Sequence, residues 1–269
     1  MGDTDPLAGC EEKLKRADFH FDSLKSLIGT FFEAKPDSYW VIPEVDVESS
    51  RCLGRIRITR EPPLNWSVVV GDYVQNLRAV LEHLIWQLVI ANGEKPSSGN
   101  AFPLFDQEPP QDPCNGERKR WERNVWGVSA EALRFIEFCQ PYKALHGPTG
   151  HTLSALRLLS NEDKHRTLVP ALAAIHRDPD LVSIDLVEFR DIRPPTERVT
   201  IHAGRPLKDR SVVFQTPVII TGPNPEVEAK TNLPLDIGFG RKPVPLEGLK
   251  QMSEAVAMIL RESRRFFGA

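Results

Sequence analysis

Residues 71–89 read GDYVQNLRAVLEHLIWQLV and carry the strongest helical pattern in the chain. Plotted at about 100° per residue, the apolar side chains of this stretch fall on one broad arc: Tyr73, Val74, Leu77, Val80, Leu81, Leu84, Ile85 and Leu88. An arc of that width is typical of a helix buried against more than one neighbour. The stretch therefore predicts the central helix of a helical bundle.

The opposite arc of this helix is polar and holds the first candidate site residues. Asn76 and His83 lie on one stripe, whereas Arg78 and Glu82, four residues apart, lie on a second. The simplest interpretation of Arg78 and Glu82 is an ion pair on the helix surface. Arg78 and His83 diverge by roughly 140° on the helical wheel. Both can still reach one cleft, because the arginine side chain is long.

The composition is that of an ordinary globular protein. Of the 269 residues, 41% are hydrophobic and 26% are charged, and the formal net charge is −3. This balance excludes a basic field over the whole molecule, although arginines cluster at 118–123 and 190–210. The length allows one large domain or two small ones.

Cysteine spacing and the N-terminal sequence predict a cytoplasmic protein. The four cysteines (Cys10, Cys52, Cys114 and Cys139) form no Cys-x-x-Cys pair, which argues against a zinc ribbon and a thioredoxin-like motif. They are expected to be reduced thiols. MGDTDPLAG has no basic region followed by an apolar run, and the longest apolar run, 84–91, is too short to span a membrane. We expect no membrane partner.

The hydrophobic periodicity, the caps and the helix breakers together predict five bundle helices. They cover about 8–34, 67–91, 129–139, 150–169 and 246–267. The last helix matches the first in length and in its apolar stripe, so the two are expected to close the same core. This arrangement favours a single α+β domain over 1–269 rather than two separable domains.

Two regions show the alternation and the turn residues that are typical of strands. Residues 39–60 predict a β-hairpin, and residues 181–240 predict a small antiparallel sheet that the hairpin extends. The sheet is expected to be an insertion between bundle helices. The predicted fold class is therefore α+β, an antiparallel bundle of about five helices with an inserted small antiparallel β-sheet.

A second candidate stretch is LRLLSNEDKHRTL at 156–168, in which Asn161 and His165 are expected to lie in an apolar seam. Polar side chains in such a seam must be hydrogen-bonded. One interpretation is that they bond each other or the central helix and fix the helix register. The other is a polar cleft formed by Asn76, His83, Asn161 and His165, in which two histidines move protons near neutral pH.

A metal site is a further alternative. His83 and His165, together with Glu82, Glu162 or Asp163, supply suitable ligand types from facing helices. Glu82 lies about 100° from His83 on the helical wheel, which argues against this site. We therefore predict neither a metal nor another cofactor.

Two resemblances rest on these residues. NLRAVLEHL (76–84) with LLSNEDKHR (158–166) resembles a widespread family of uncharacterised bacterial proteins, over most of the chain from the first helix to about residue 170. That likeness implies no activity. Separately, Arg78 and His83 form Arg-x4-His on a bundle helix, which is similar to the signature of HEPN (higher eukaryotes and prokaryotes nucleotide-binding) domains, an Arg followed four to six residues later by a His.

The HEPN resemblance implies a metal-independent endoribonuclease that cuts RNA at the interface of a homodimer. His83 would move the proton of the attacking 2′-hydroxyl, and Arg78 would stabilise the charge of the phosphorane. Substituting both is then expected to abolish cleavage with little effect on stability. The alternatives are a non-catalytic helical-bundle module that binds a protein or a nucleotide, and a metal-dependent bundle enzyme.

Overall fold

The structure is a computed structural model that describes residues 5–34, 38–168, 170–175, 183–193, 199–202, 207–232 and 235–268. It is a mixed α+β protein, as predicted. The chain divides into two compact units: a first unit of Met1–Lys25, Ser67–Leu168 and Glu247–Ala269, and a second unit of Ser26–Trp66 and Val169–Leu246. The single-domain organisation over 1–269 stays a prediction.

Most helical residues belong to the first unit. The helices of the described residues are α1 (Ala8–Ala34), α2 (Asn65–Ala91), α3 (Gly116–Asn124), α4 (Ala130–Phe138), α5 (Thr152–His165) and α6 (Leu246–Ser263). Short 3₁₀ turns lie at Pro141–Lys143 and Arg264–Phe266. The helices predicted over 8–34, 67–91, 129–139 and 246–267 correspond to α1, α2, α4 and α6, which differ from them by at most a few residues at either end.

The helix predicted over 150–169 is shorter than expected. α5 ends at His165 because Arg166 adopts an extended conformation, with φ −165° and ψ 156°. A strand, β3 (Pro170–Ile175), begins shortly afterwards. Val169, the last residue of the predicted helix, lies outside the described residues. Leu172 therefore does not continue the face of α5, which changes the expected surroundings of Asn161 and His165.

α2 is the most deeply packed helix of the first unit. All eight side chains of its predicted apolar arc are at most 2% exposed, and burying one such side chain stabilises a fold by about 1.5–3 kcal/mol. The Tyr73 ring lies 5.8 Å from that of Phe21 on α1, and its hydroxyl donates to the Leu249 carbonyl of α6. Gly93, at φ 78°, follows the C-terminal end. The five-helix antiparallel bundle stays a prediction.

The second unit contains the strands. In addition to β3 they are β1 (Tyr39–Asp46), β2 (Arg51–Ile58), β4 (Ser183–Arg190), β5 (Ile192–Arg193), β6 (Thr200–Ile201), β7 (Val212–Pro217), β8 (Ile219–Ile220), β9 (Glu226–Asn232), β10 (Leu235–Phe239) and β11 (Val244–Pro245). The described strands pair antiparallel in the orders β1-β2-β7-β6, β11-β10-β3, β4-β9 and β5-β8.

The predicted hairpin over 39–60 corresponds to β1 and β2, paired from Tyr39↔Ile58 to Asp46↔Arg51. It extends the insertion through β7, which pairs with β2. The prediction of one sheet over 181–240 is wrong in extent, because the strands form several ladders and β3 and β11 lie beyond those bounds. Asp191, at φ 53°, turns the chain between β4 and β5. Residues 181–182, 194–198, 203–206 and 233–234 of the predicted insertion lie outside the described residues.

Candidate functional site

Arg78 is anchored to the loop that follows α2. Its guanidinium pairs with Glu82 one turn further along the helix, and its Nη2 donates to the Phe102 carbonyl at 2.6 Å. Oε2 of Glu82 accepts from the Phe102 N–H at 2.9 Å. Two side chains of α2 thus satisfy both backbone groups of one loop residue. We call Arg78, Glu82 and Phe102 the loop anchor.

Burial distinguishes the loop anchor from the surface ion pair that the sequence predicts. The Arg78 side chain is only 17% exposed, and the Phe102 ring is fully buried. Burial lowers the pKa of the Arg78 guanidinium, and the carboxylate of Glu82 opposes that change. Arginine stays protonated in proteins, so Arg78 keeps a buried charge that depends on Glu82 for compensation.

His83 lies on a different side of α2 and is exposed. It lies near Gly9 of α1, where an added Cβ would lie 3.7 Å from the His83 Nδ1 atom. Trp86 and Ile90, three and seven residues further on, are also exposed. These three positions share one helical face. Arg78 and His83 therefore contact different parts of the first unit.

The remaining predicted site residues do not line an apolar seam. Asn161 and His165 are exposed, since α5 buries the face that carries Leu153, Leu156 and Leu159. The Nδ2 of Asn76 donates to the Asp72 carbonyl of its own helix at 2.8 Å. The seam prediction is wrong because Leu158, Asn161 and His165 lie on a face of α5 that is exposed to solvent.

The structure does not bring the five predicted site residues together by direct bonds. In the part of the chain that it describes, no hydrogen bond or ion pair joins any two of Asn76, Arg78, His83, Asn161 and His165. Their catalytic roles stay predictions. A different set of residues links the two quoted stretches, 71–89 and 156–168.

Gln75 and Asp163 join the two quoted stretches, 71–89 and 156–168. Nε2 of Gln75 donates to Oδ2 of Asp163 at 2.9 Å and to the Ser160 carbonyl at 3.1 Å. The carboxylate of Asp163 lies directly against the backbone of Gly71 on α2. A Cβ at position 71 would lie only 2.4 Å from the Asp163 Oδ1 atom, so a larger residue there would require the Asp163 carboxylate to move.

A cavity of about 180 Å³ opens beside this contact, and we call it the α2–α5 cavity. Its lining residues come from the first turns of α2 and from the end of α5: Ser67, Val68, Gly71, Asp72, Asp163 and Thr167. Ser67 is 1% exposed, and its Oγ atom has no hydrogen-bond partner among the described residues. Buried hydroxyls are nearly always paired, so this atom marks the cavity as a candidate ligand site.

The charge of Asp72 also acts on a histidine of α1. Burial lowers the pKa of His20, the Arg16 charge lowers it further, and the Asp72 carboxylate raises it. Asp72 therefore lies close enough to interact with a side chain of α1 as well as lining the cavity. Sequence reasoning missed this site, although one signal was present: Gly71 is interior to a helix, where glycine costs about 1 kcal/mol relative to alanine and implies a close packing partner.

The described residues contain no group of three or more His, Cys, Asp or Glu side chains arranged to hold a metal ion. Among the same residues, no helix has both the length and the apolar character needed to cross a membrane. Comparisons with protein-family models, with curated proteins and with solved structures returned no match to this chain. The two resemblances of the motifs therefore stay predictions.

Proposed function

We propose that the first unit is a non-catalytic binding module and that its ligand site is the α2–α5 cavity. The observation that carries this proposal is the loop anchor. A guanidinium that is mostly buried and bonded to Glu82 and to the Phe102 carbonyl has a structural task. Using it to stabilise a phosphorane would require releasing Glu82 and the Phe102 carbonyl, which costs about 2 kcal/mol because both would lose a partly buried partner.

The properties of the α2–α5 cavity also support the proposal of a binding module. It has an acidic wall, a buried hydroxyl without a partner among the described residues, and a volume that suits a small group. Binding sites commonly combine such a concave shape with a few convergent polar atoms. None of the histidines singled out by the sequence lines it, so the cavity has acceptors for a ligand but no neutral-pH proton carrier among its lining residues.

The ribonuclease hypothesis has one observation in its favour. His83 is exposed beside Trp86 and Ile90 on one face of α2, so a substrate or a second copy of the chain can reach it. On this account RNA and homodimer formation would both involve that face. The cavity would then have no part in the reaction.

A cleavage assay separates the two proposals. The purified chain is incubated with a mixed-sequence RNA, and the His83→Ala variant, which alters only an exposed side chain, serves as the matched control. The binding-module proposal expects intact RNA with both proteins. Cleavage by the unmodified chain that disappears in His83→Ala, with an unchanged melting temperature, would overturn it in favour of the ribonuclease.

A further inference from the structure

The α2–α5 cavity presents hydrogen-bond acceptors to a ligand. Ionised carboxylates only accept hydrogen bonds, and Asp72 and Asp163 both line the cavity. Neither forms an ion pair with any of the described residues. The Ser67 hydroxyl adds a buried oxygen without a partner there. Such a set favours a positively charged hydrogen-bond donor.

The state of the Asp163 carboxylate narrows the class of donor. A guanidinium prefers two parallel bonds to both oxygens of one carboxylate. Oδ2 of Asp163 already accepts from Gln75, and Oδ1 lies against the backbone of Gly71, so less space is left at this residue for that paired arrangement. A compact ammonium group needs only single bonds to separate acceptors, because its three protons point in different directions.

A divalent cation fits the cavity less well. Mg²⁺ and Ca²⁺ take six or more oxygen ligands, whereas the side chains of this cavity offer two carboxylates and two hydroxyls. Val68, which is exposed, supplies an apolar part of the wall. An alkyl chain can lie against that wall while its charged end faces the carboxylates.

We infer that the α2–α5 cavity binds an alkylammonium group through Asp72, Asp163 and the Ser67 hydroxyl. The group belongs either to a free aliphatic amine or to a lysine side chain of a peptide, since both end in the same chemistry. The absence of a side chain at Gly71 leaves space for the Asp163 carboxylate, and the hydrogen bond from Gln75 holds that carboxylate in position. The inference rests on the proposed binding function and names its ligand class.

Isothermal titration of the full chain tests this assignment with two probes, cadaverine and Nα-acetyl-lysine-N-methylamide. Nε-acetylated lysine, which keeps the chain but loses the charge, is the matched negative ligand. We expect saturable binding of at least one charged probe and none of the acetylated compound. Affinity should fall with added salt, because an exposed carboxylate contributes to the attraction.

Variants of the cavity locate the binding. Asp163→Asn and Asp72→Asn should each weaken binding roughly tenfold, the loss expected for one charged hydrogen bond, and Ser67→Ala should weaken it by a smaller factor. Asp22→Asn makes the same charge change on an exposed part of α1 and should leave affinity unchanged. Circular dichroism checks that each variant is folded.

The outcomes are distinct. Binding of cadaverine alone assigns a free amine, binding of the lysine derivative assigns a peptide, and either supports the inference. The inference is overturned if neither probe binds, or if folded Asp163→Asn and Asp72→Asn bind the probe as tightly as the unmodified chain does. RNA cleavage by the same preparation would instead overturn the non-catalytic function, whatever the titration shows.

Discussion

The carboxylate of Asp163 on α5 lies so close to Gly71 on α2 that a Cβ at position 71 would be 2.4 Å from Oδ1. Gln75, one turn further along α2, donates to the same carboxylate. The close approach and the hydrogen bond together join the two stretches that contain the predicted site residues, 71–89 and 156–168. The effect of a substitution at position 71 on the free energy of unfolding should therefore depend on the residue at position 163.

Gly71→Ala should destabilise the unmodified chain but stabilise a chain in which Asp163 has been replaced by alanine. In the unmodified chain the new methyl displaces the Asp163 carboxylate, and we expect a destabilisation of about 1–2 kcal/mol. In an Asp163→Ala background the clash is absent, so alanine should stabilise α2 by roughly 0.5–1 kcal/mol. Denaturant unfolding of the four proteins measures both numbers.

The same four proteins can also contradict the proposed contact between Gly71 and Asp163. If Gly71→Ala has equal effects in both backgrounds, the coupling free energy is zero. Asp163 would then not occupy the space over Gly71, and the proposed geometry of the cavity would be wrong.

His151 should make stability fall in mild acid. Its Nδ1 accepts from the Leu153 N–H as the N-cap of α5. Burial lowers the pKa of His151 below the ordinary 6.5, with Asp106 opposing. Below pH 6.5 the unfolded chain therefore binds more protons than the folded one. The stabilisation is complete above that pH and decreases as pH falls toward the folded-state pKa.

His151→Asn tests the acid effect, because asparagine also caps helices but does not titrate. Melting temperatures measured between about pH 7.5 and pH 5.5 should fall less in this variant than in the unmodified chain. His165→Asn, an exchange at an exposed position, is the control and should change nothing. An identical decline in His151→Asn would show that the cap is not linked to protonation.

Cys114 should be the one cysteine that reacts rapidly in the native protein. It is exposed, whereas Cys10 and Cys52 are buried and Cys139 is half-buried. Burial raises the pKa of Cys10 and Cys52 to about 11 and that of Cys139 to about 12, and only the thiolate reacts.

Thiol counting with a chromogenic disulfide checks this expectation. One group should react quickly without denaturant and all four should react in guanidinium, while Cys114→Ser should remove the fast phase. A fast phase that survives Cys114→Ser would mean that another thiol is accessible.

The sequence predicted the buried part of the fold better than its polar part. The arc from Tyr73 to Leu88 is buried as expected, because helical periodicity reports a face directly. The end of α5 was missed because a run of helix-compatible residues continues past His165 to Pro170, and the extended conformation of Arg166 has no local signature there. Asn161 and His165 were expected to be buried because Leu158 shares their face, but Leu158 is itself 42% exposed.

The candidate site was only partly accessible to sequence reasoning. The quoted stretches 71–89 and 156–168 contain four of its residues (Gly71, Asp72, Asp163 and Thr167). Side-chain spacing within one helix, however, does not show which residues meet across two helices. Arg78 illustrates the same limit. A spacing of four from Glu82 predicts the ion pair, whereas the backbone of Phe102, which gives that pair its role, is twenty-four residues away.

The most direct test of the structural role of the loop anchor is equilibrium unfolding of Arg78→Ala beside His83→Ala. We predict that Arg78→Ala loses about 2 kcal/mol, because Glu82 and the Phe102 carbonyl lose a buried partner, with a fall in melting temperature of about 4–8 °C. His83→Ala should stay within about 0.5 kcal/mol of the unmodified chain. Two variants of unchanged stability that both lose RNA cleavage would contradict the account and establish Arg78 as catalytic.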